Sequence, residues 1–99
     1  MIVVSGLIRL APDSREAAVK AAAEMARETR QEQGCHTYAF YSDLEDPNVF
    51  RVFEEWADDA SLKAHGQTAH MKRWRATLAG LTVESREIKR YVVEEMSTL

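Results

Sequence analysis

The chain of 99 residues contains a single cysteine, Cys35, so it forms no internal disulfide bond. A lone cysteine fits a reducing compartment. The N-terminal MIVVSGLIRL lacks the positively charged segment and long apolar core of a signal peptide. No apolar run approaches the roughly 20 residues that span a bilayer. We therefore expect a cytoplasmic protein without a membrane partner.

Signatures of cofactor and nucleic-acid binding are also missing. The four glycines form neither a phosphate-binding loop nor a dinucleotide fingerprint. With a net charge of -3 and no basic stripe with interleaved aromatic residues, the chain is not expected to bind nucleic acid. His65 and His70 are five residues apart, unlike a helical metal pair, and no cysteine or carboxylate completes a recognisable ligand set. We expect no metal site and no cofactor.

Composition is otherwise ordinary for a globular protein, with 45% hydrophobic and 29% charged residues, and the length favours one domain over residues 1–99. Hydrophobic periodicity and capping residues predict strands over 2–10, 35–44, 48–56 and 81–95, and helices over 14–33, 58–65 and 68–79. Gly34 is expected to end the first helix. The order β-α-β-β-α-β, with the second helix split in two, predicts a ferredoxin-like α+β fold.

A four-stranded antiparallel sheet with helices on one face leaves its other face bare. A single copy would then expose a large apolar surface, which normally marks an interaction site. We therefore expect a homodimer in which two sheets pack face to face.

The third predicted strand carries a buried carboxylate. Alternation places Glu54 and Trp56 on one face and Phe53 and Glu55 on the other. One of these two glutamates is expected to be solvated, and the other, beneath a helix or in the dimer interface, would be costly without a partner. Either it makes a structural hydrogen bond or an ion pair with Arg51 or Arg9, or it takes part in catalysis.

The two histidines that follow are candidates for acid–base chemistry. His65 shares the buried side of its short helix with Leu62. It is either bonded to a backbone carbonyl or a neutral imidazole that takes a proton from a phenol-like substrate. His70 either flanks its helix and packs on Trp74 or contributes to the same pocket.

The strings QEQGCHTYAF, FEEW and LKAHGQTAHMKRW resemble the antibiotic biosynthesis monooxygenase family, and within it the small quinol monooxygenase-like proteins. The resemblance covers essentially the whole chain. It implies a dimeric α/β barrel of two ferredoxin-like units. It also implies oxidation of quinols, phenols or polycyclic aromatics by O2 without a metal or organic cofactor.

On that resemblance, His65 is the expected catalytic base or polar anchor, and Glu54 a polar support. The expected walls or supports of the substrate pocket are Tyr38, Phe53, Trp56, His70, Met71 and Trp74. Other activities occur in the family, so two alternatives stay open. One is an isomerase for a small phosphorylated metabolite, whose phosphate Arg9, Arg51 or Lys72 could hold. The other is a non-catalytic binding module. The substrate itself is not predicted.

Overall fold

The computed structural model describes residues 1–99 and confirms the predicted order of elements. The strands and helices are β1 (Ile2–Leu10), α1 (Arg15–Thr29), β2 (Cys35–Ser42), β3 (Val49–Trp56), α2 (Asp59–His65), α3 (Ala69–Ala79) and β4 (Val83–Val92). A single 3-10 turn, Pro12–Ser14, precedes α1. The last strand is shorter at both ends than expected. None of the three helices combines the length and apolarity needed to cross a bilayer.

Helix α1 ends four residues earlier than the sequence predicts. The hydroxyl of Thr29 donates to the carbonyl of Met25 at 2.7 Å, and the chain then leaves the helix through a turn over residues 30–34. Gly34, predicted to end the helix, instead closes this turn with a φ of +84°, a conformation that glycine adopts without strain. The prediction was wrong because residues 30–33 have adequate helix propensity, whereas the chain must reverse here to enter β2. Glu32 consequently lies in the turn.

The four strands form one antiparallel sheet in the order β2-β3-β1-β4. The predicted alternation along β3 is confirmed, because Val52, Glu54 and Trp56 are buried beneath the helices and Phe53 faces the other way. Gly6 in β1 lies opposite Ile88, where an added Cβ would sit 2.5 Å from the Ile88 Cα. The absence of a side chain at this position therefore permits the close pairing of β1 with β4.

Two clusters of buried side chains fill the space between the helices and the sheet. The larger cluster surrounds Trp56, which is completely inaccessible, and contains Ile2, Val4, Met25, Ala26, Tyr38 and Val52. The smaller one contains Ile8, Leu10, Ala18 and Phe50. The buried alanines of α1, Ala18, Ala22 and Ala26, allow this helix to approach the sheet closely.

The opposite face of the sheet is not covered by any element of the chain. Leu7, Tyr41 and Tyr91 are 42%, 56% and 47% exposed, respectively, on or beside this face. Charged side chains such as Arg51 and Lys89 are interspersed with them. The face is therefore amphipathic, rather than the mainly apolar surface that the strand pattern suggested.

A candidate active site at a glutamate–histidine cluster

The break between α2 and α3 brings His65 and His70 together. His65 is the last residue of α2, and His70 is the second residue of α3. Thr68 caps α3, since its hydroxyl oxygen accepts from the Met71 amide at 3.2 Å, and the same hydroxyl donates to the carbonyl of His65 at 2.8 Å. The predicted cap of α2 is also present, where Asp58 accepts from the Ser61 amide. Local capping thus fixes the directions of both imidazoles.

Glu32 joins the two histidines. One oxygen of its carboxylate, Oε2, lies 2.7 Å from Nδ1 of His65 and 2.6 Å from Nε2 of His70. Since an ionised carboxylate only accepts hydrogen bonds, both of these ring nitrogens donate to it. Of the two alternatives for His65, the bond to a backbone carbonyl is therefore not the one that forms.

Glu32 was not among the predicted site residues, although it lies in the string QEQGC that carries the family resemblance. A helix continued to residue 33 would place this side chain on an exposed helical face. The usable signal was its position two residues before a glycine that turns the chain.

His65 is a buried imidazole held among aromatic rings. It is 4% exposed, and its ring centroid lies 4.9 Å from that of Trp56 and 5.4 Å from that of Tyr38. Burial lowers the pKa of His65 below its usual value, although the hydrogen bond and the charge of Glu32 act in the opposite direction. The ring is therefore neutral at pH 7, with its proton on Nδ1. Its Nε2 carries a free lone pair.

His65 lines a cavity, and its Nε2 makes no hydrogen bond within the protein. Every fully buried polar side-chain atom in the protein has a hydrogen-bond partner, whereas Nε2 has none, so this atom is reached from solvent. The space beside it is a cavity of about 250 Å³ between the sheet, α2 and α3. Its walls are mostly apolar and include Val4, Ile8, Tyr38, Phe40, Val52, Leu62, Met71, Trp74 and Ile88. An apolar hollow with one basic nitrogen at its wall can bind and deprotonate a weak acid.

Glu54 is the one carboxyl group at this cavity. Its Oε1 accepts from Nε1 of Trp56 at 2.9 Å, which confirms the expected structural hydrogen bond. Burial raises the pKa of Glu54 to about 7, and the hydrogen bond from Trp56 opposes this only in part. The expected ion pair is absent, because Arg51 donates to the Ser5 hydroxyl on the far side of the sheet and Arg9 pairs with Asp46.

The structure gathers most of the predicted site residues, but not all of them at the cavity. Tyr38, Met71 and Trp74 line it as expected. Trp56 packs against the ring of His65 without lining the cavity. His70 is joined to His65 through the Glu32 oxygen that both contact. Phe53 is on the opposite face of the sheet and contributes no wall, because strand alternation points it away from Glu54.

A larger groove of about 520 Å³ runs along the alanines of α1. Phe40 and Trp74 line both spaces, and their rings, 5.4 Å apart between centroids, form part of the boundary between them. The groove contains arginines but no histidine or carboxylate. It therefore offers apolar volume but no acceptor for a proton, and the chemistry is assigned to the smaller cavity.

The thiol of Cys35 is close enough to the site for the charges of Glu32 and Glu54 to affect it. Burial raises the pKa of the Cys35 thiol to about 11, with the charges of Glu32 and Glu54 adding to the effect, so the thiol stays protonated.

Glu32, His65 and His70 place one ligand atom each within 4.8 Å of one another. This is the one set of side chains in the chain positioned to hold a metal ion. Glu32 supplies the carboxylate that the sequence pattern did not reveal.

Known proteins of similar sequence cover most of this chain. An uncharacterized protein of Synechocystis sp. is 35% identical over 98 residues, covering 99% of this chain and 67% of that protein. The Escherichia coli K12 protein named "Probable quinol monooxygenase YgiN" is 31% identical over 94 residues, covering 85% of this chain and 90% of that protein. Of these two relatives, only the second has a name that states an activity.

Solved structures share the whole fold. A Deinococcus radiodurans protein superposes with a TM-score of 0.93 at 23% identity, covering 100% of this chain and 98% of that one. A Pseudomonas aeruginosa protein gives 0.86 at 26% identity, covering 95% and 94%. The family model described as antibiotic biosynthesis monooxygenase matches residues 1–77, which include every residue of the glutamate–histidine cluster. The chain therefore belongs to the antibiotic biosynthesis monooxygenase family.

Proposed function

We propose that this protein is a cofactor-independent monooxygenase that oxidises a small quinol, phenolic or polycyclic aromatic molecule with O2. The observation that carries the proposal is the free Nε2 of His65, a buried neutral imidazole anchored by Glu32 at the wall of an apolar cavity. Family membership and the name of the E. coli relative support an oxidoreductase. The cavity of about 250 Å³ lies below the roughly 300–1,000 Å³ of most ligand pockets, which favours a substrate of one to three rings.

The first step assigned to the site is proton removal. The aromatic body of the substrate packs against Met71 and Trp74, and its hydroxyl donates to Nε2 of His65. For a ring CH2 conjugated with a ketone, this hydroxyl is that of the enol form, and its loss gives the same anion as loss of a CH2 proton. As His65 takes the proton it becomes an imidazolium, which the carboxylate of Glu32 stabilises at 2.7 Å through Nδ1. Because the bound substrate and the apolar walls together displace water, this ion pair is stronger than it would be in solution.

The second step is the reaction of the resulting anion with O2. Delocalisation of the negative charge makes a ring carbon electron-rich, so the substrate itself supplies all the electrons. For a ring CH2 flanked by aryl groups, CH2 and O2 give C=O and H2O. One oxygen atom enters the product, and the other leaves as water with the two hydrogens, one of which is the proton that the imidazolium of His65 returns. The carbon loses four electrons and O2 gains four, so no external reductant is required.

An isomerase acting on a phosphorylated metabolite has less support. No arginine or lysine lines the cavity. Arg9 and Arg51 lie on the opposite face of the sheet, where they contact Asp46 and Ser5. A phosphate group bound at His65 would therefore lack a positive partner.

The direct test uses protein stripped of metal with a chelator. We expect it to consume oxygen with anthrone or 1,4-dihydroxynaphthalene, and we expect mass spectrometry of the anthrone reaction to show one atom of 18O from 18O2 in the ketone product. Turnover of a phosphorylated diketone without oxygen consumption would support the isomerase instead. Ligand-induced thermal stabilisation without any product would support the binding module.

We further infer that the 99 residues act as one domain and that a second copy covers the open sheet face, so that the assembly is a homodimer. Leu7 and Tyr91 are half exposed on this face, and the mixture of arginine, lysine and glutamate around them allows complementary pairing across a twofold axis. We expect sedimentation at twice the chain mass of 11.2 kDa, and dissociation in Leu7→Glu. Wild-type protein that sediments as one copy contradicts the dimer.

A further inference from the structure

We propose that Glu32, His65 and His70 form a reversible binding site for one divalent transition-metal ion of the Zn²⁺ type. Binding at this site goes beyond the proposed monooxygenase and does not depend on it. Two imidazole nitrogens and one carboxylate oxygen come from three separate segments and converge within 4.8 Å. The side chain of His65 is 5% exposed, and those of Glu32 and His70 are each 14% exposed.

The present arrangement resembles a metal site in which a carboxylate oxygen occupies the position of the ion. Oε2 of Glu32 lies 2.7 Å from one ring nitrogen and 2.6 Å from the other, so it sits between them. Zn²⁺ binds imidazole nitrogen and carboxylate oxygen at about 2.0–2.2 Å. A short withdrawal of the Glu32 side chain, which lies in a turn rather than a helix, allows an ion to take the central position.

The segments that supply the ligands are held in place by other contacts. Nε of Arg30 donates to the carbonyl of Tyr38 at 3.0 Å, which ties the turn carrying Glu32 to β2. Arg73 of α3 pairs with Glu28 of α1, so the helix of His70 is tied to the helix that precedes the turn. The ligand set is therefore largely preorganised, which lowers the cost of binding.

The ligand types select the class of ion. Two imidazoles and one carboxylate, with further positions open to water, suit Zn²⁺, Co²⁺, Ni²⁺ or Cu²⁺. Mg²⁺ and Ca²⁺ prefer ligand sets made of oxygen alone. The site should therefore discriminate strongly against these two ions.

An occupied site would change the chemistry at the cavity. A metal ion on Nδ1 of His65 leaves the single proton of the neutral ring on Nε2, the nitrogen that faces the cavity. Nε2 then donates a hydrogen bond and no longer accepts a proton. This consequence, unlike binding itself, rests on the proposed function, and it makes the ion an inhibitor of oxygen consumption.

The test is a titration of chelator-treated protein with Zn²⁺ against a chromogenic competitor, and with Co²⁺ followed by its visible absorption. We expect one ion per chain. Substituting a residue that hydrogen-bonds to a metal ligand costs about 10–100-fold in metal affinity. Loss of a ligand itself, in His70→Ala or Glu32→Gln, should therefore cost about 100-fold or more. His36→Ala removes the third histidine, which is exposed on β2 outside the cluster, and should bind like wild type.

The outcomes separate the two proposals. Absence of a 1:1 complex with Zn²⁺, or equal affinity in His36→Ala and His70→Ala, overturns the metal site and leaves the monooxygenase standing. His70→Asn provides a second variant if the alanine protein unfolds, as judged by circular dichroism. If Zn²⁺ binds at the cluster and oxygen consumption continues at the metal-free rate, the assignment of His65 as the base is wrong and the metal site stands.

Discussion

His65→Gln is expected to slow oxygen consumption by about 10²–10⁴-fold, the usual contribution of a general base. Glutamine fills much of the same volume and can still hydrogen-bond to Glu32, but it offers no basic nitrogen to the cavity. The rate is measured with an oxygen electrode on metal-free protein at saturating anthrone. Product analysis with 18O2 confirms that the residual consumption is the same reaction.

The control for this loss is His36→Gln, which makes the same substitution at an exposed site on β2. We expect its rate to equal that of wild type. Far-ultraviolet circular dichroism establishes that the His65 variant is folded. A folded His65→Gln protein that consumes oxygen at the wild-type rate shows that proton removal does not occur at this imidazole.

The effect of Glu54→Gln on the free energy of unfolding is expected to depend on pH. It should be about 3 kcal/mol more stabilising at alkaline pH than in acid. Burial raises the pKa of Glu54 from 4.5 in the unfolded chain to about 7 in the fold. The folded state therefore holds this proton more tightly than the unfolded state. The corresponding stability is fully present below pH 4.5 and is lost as the pH rises through 7.

A glutamine at this position keeps the oxygen that accepts from Nε1 of Trp56 and does not titrate. Urea unfolding of wild type and Glu54→Gln at pH 4.5 and at pH 8 isolates the contribution of the Glu54 carboxyl, since the two proteins share all other titrating groups. The difference in free energy of unfolding between variant and wild type should shift in favour of the variant between the two values. A difference that is the same at both shows that the carboxyl is not held in an apolar environment.

Much of the fold follows from local features of the sequence. Asp58 and Thr68 each stand directly before a helix, and each caps its helix as expected, because a cap needs only a side chain and an amide three residues away. Alternation along β3 correctly placed Glu54 and Trp56 on one face and Glu55 on the other. These features depend on neighbours in the chain, so periodicity and capping residues suffice to predict them.

The site depends on contacts that no local pattern encodes. Glu32 meets His65 across 33 residues and His70 across 38, and it reaches them only because α1 ends at Thr29. That end is set by the reversal into β2, not by helix propensity. Likewise, Glu54 pairs with its near neighbour Trp56 and not with an arginine, since both candidate arginines lie on the other side of the sheet.

The central claim is that Glu32 fixes the proton of His65 on Nδ1 and leaves Nε2 free toward the cavity. It is tested most directly by long-range 1H–15N spectra of 15N-labelled, metal-free protein near pH 8, assigned with His36→Gln and His70→Gln. The predicted result is a neutral ring for His65, protonated at Nδ1 and unprotonated at Nε2. A ring protonated at Nε2 alone, or at both nitrogens, would contradict the account.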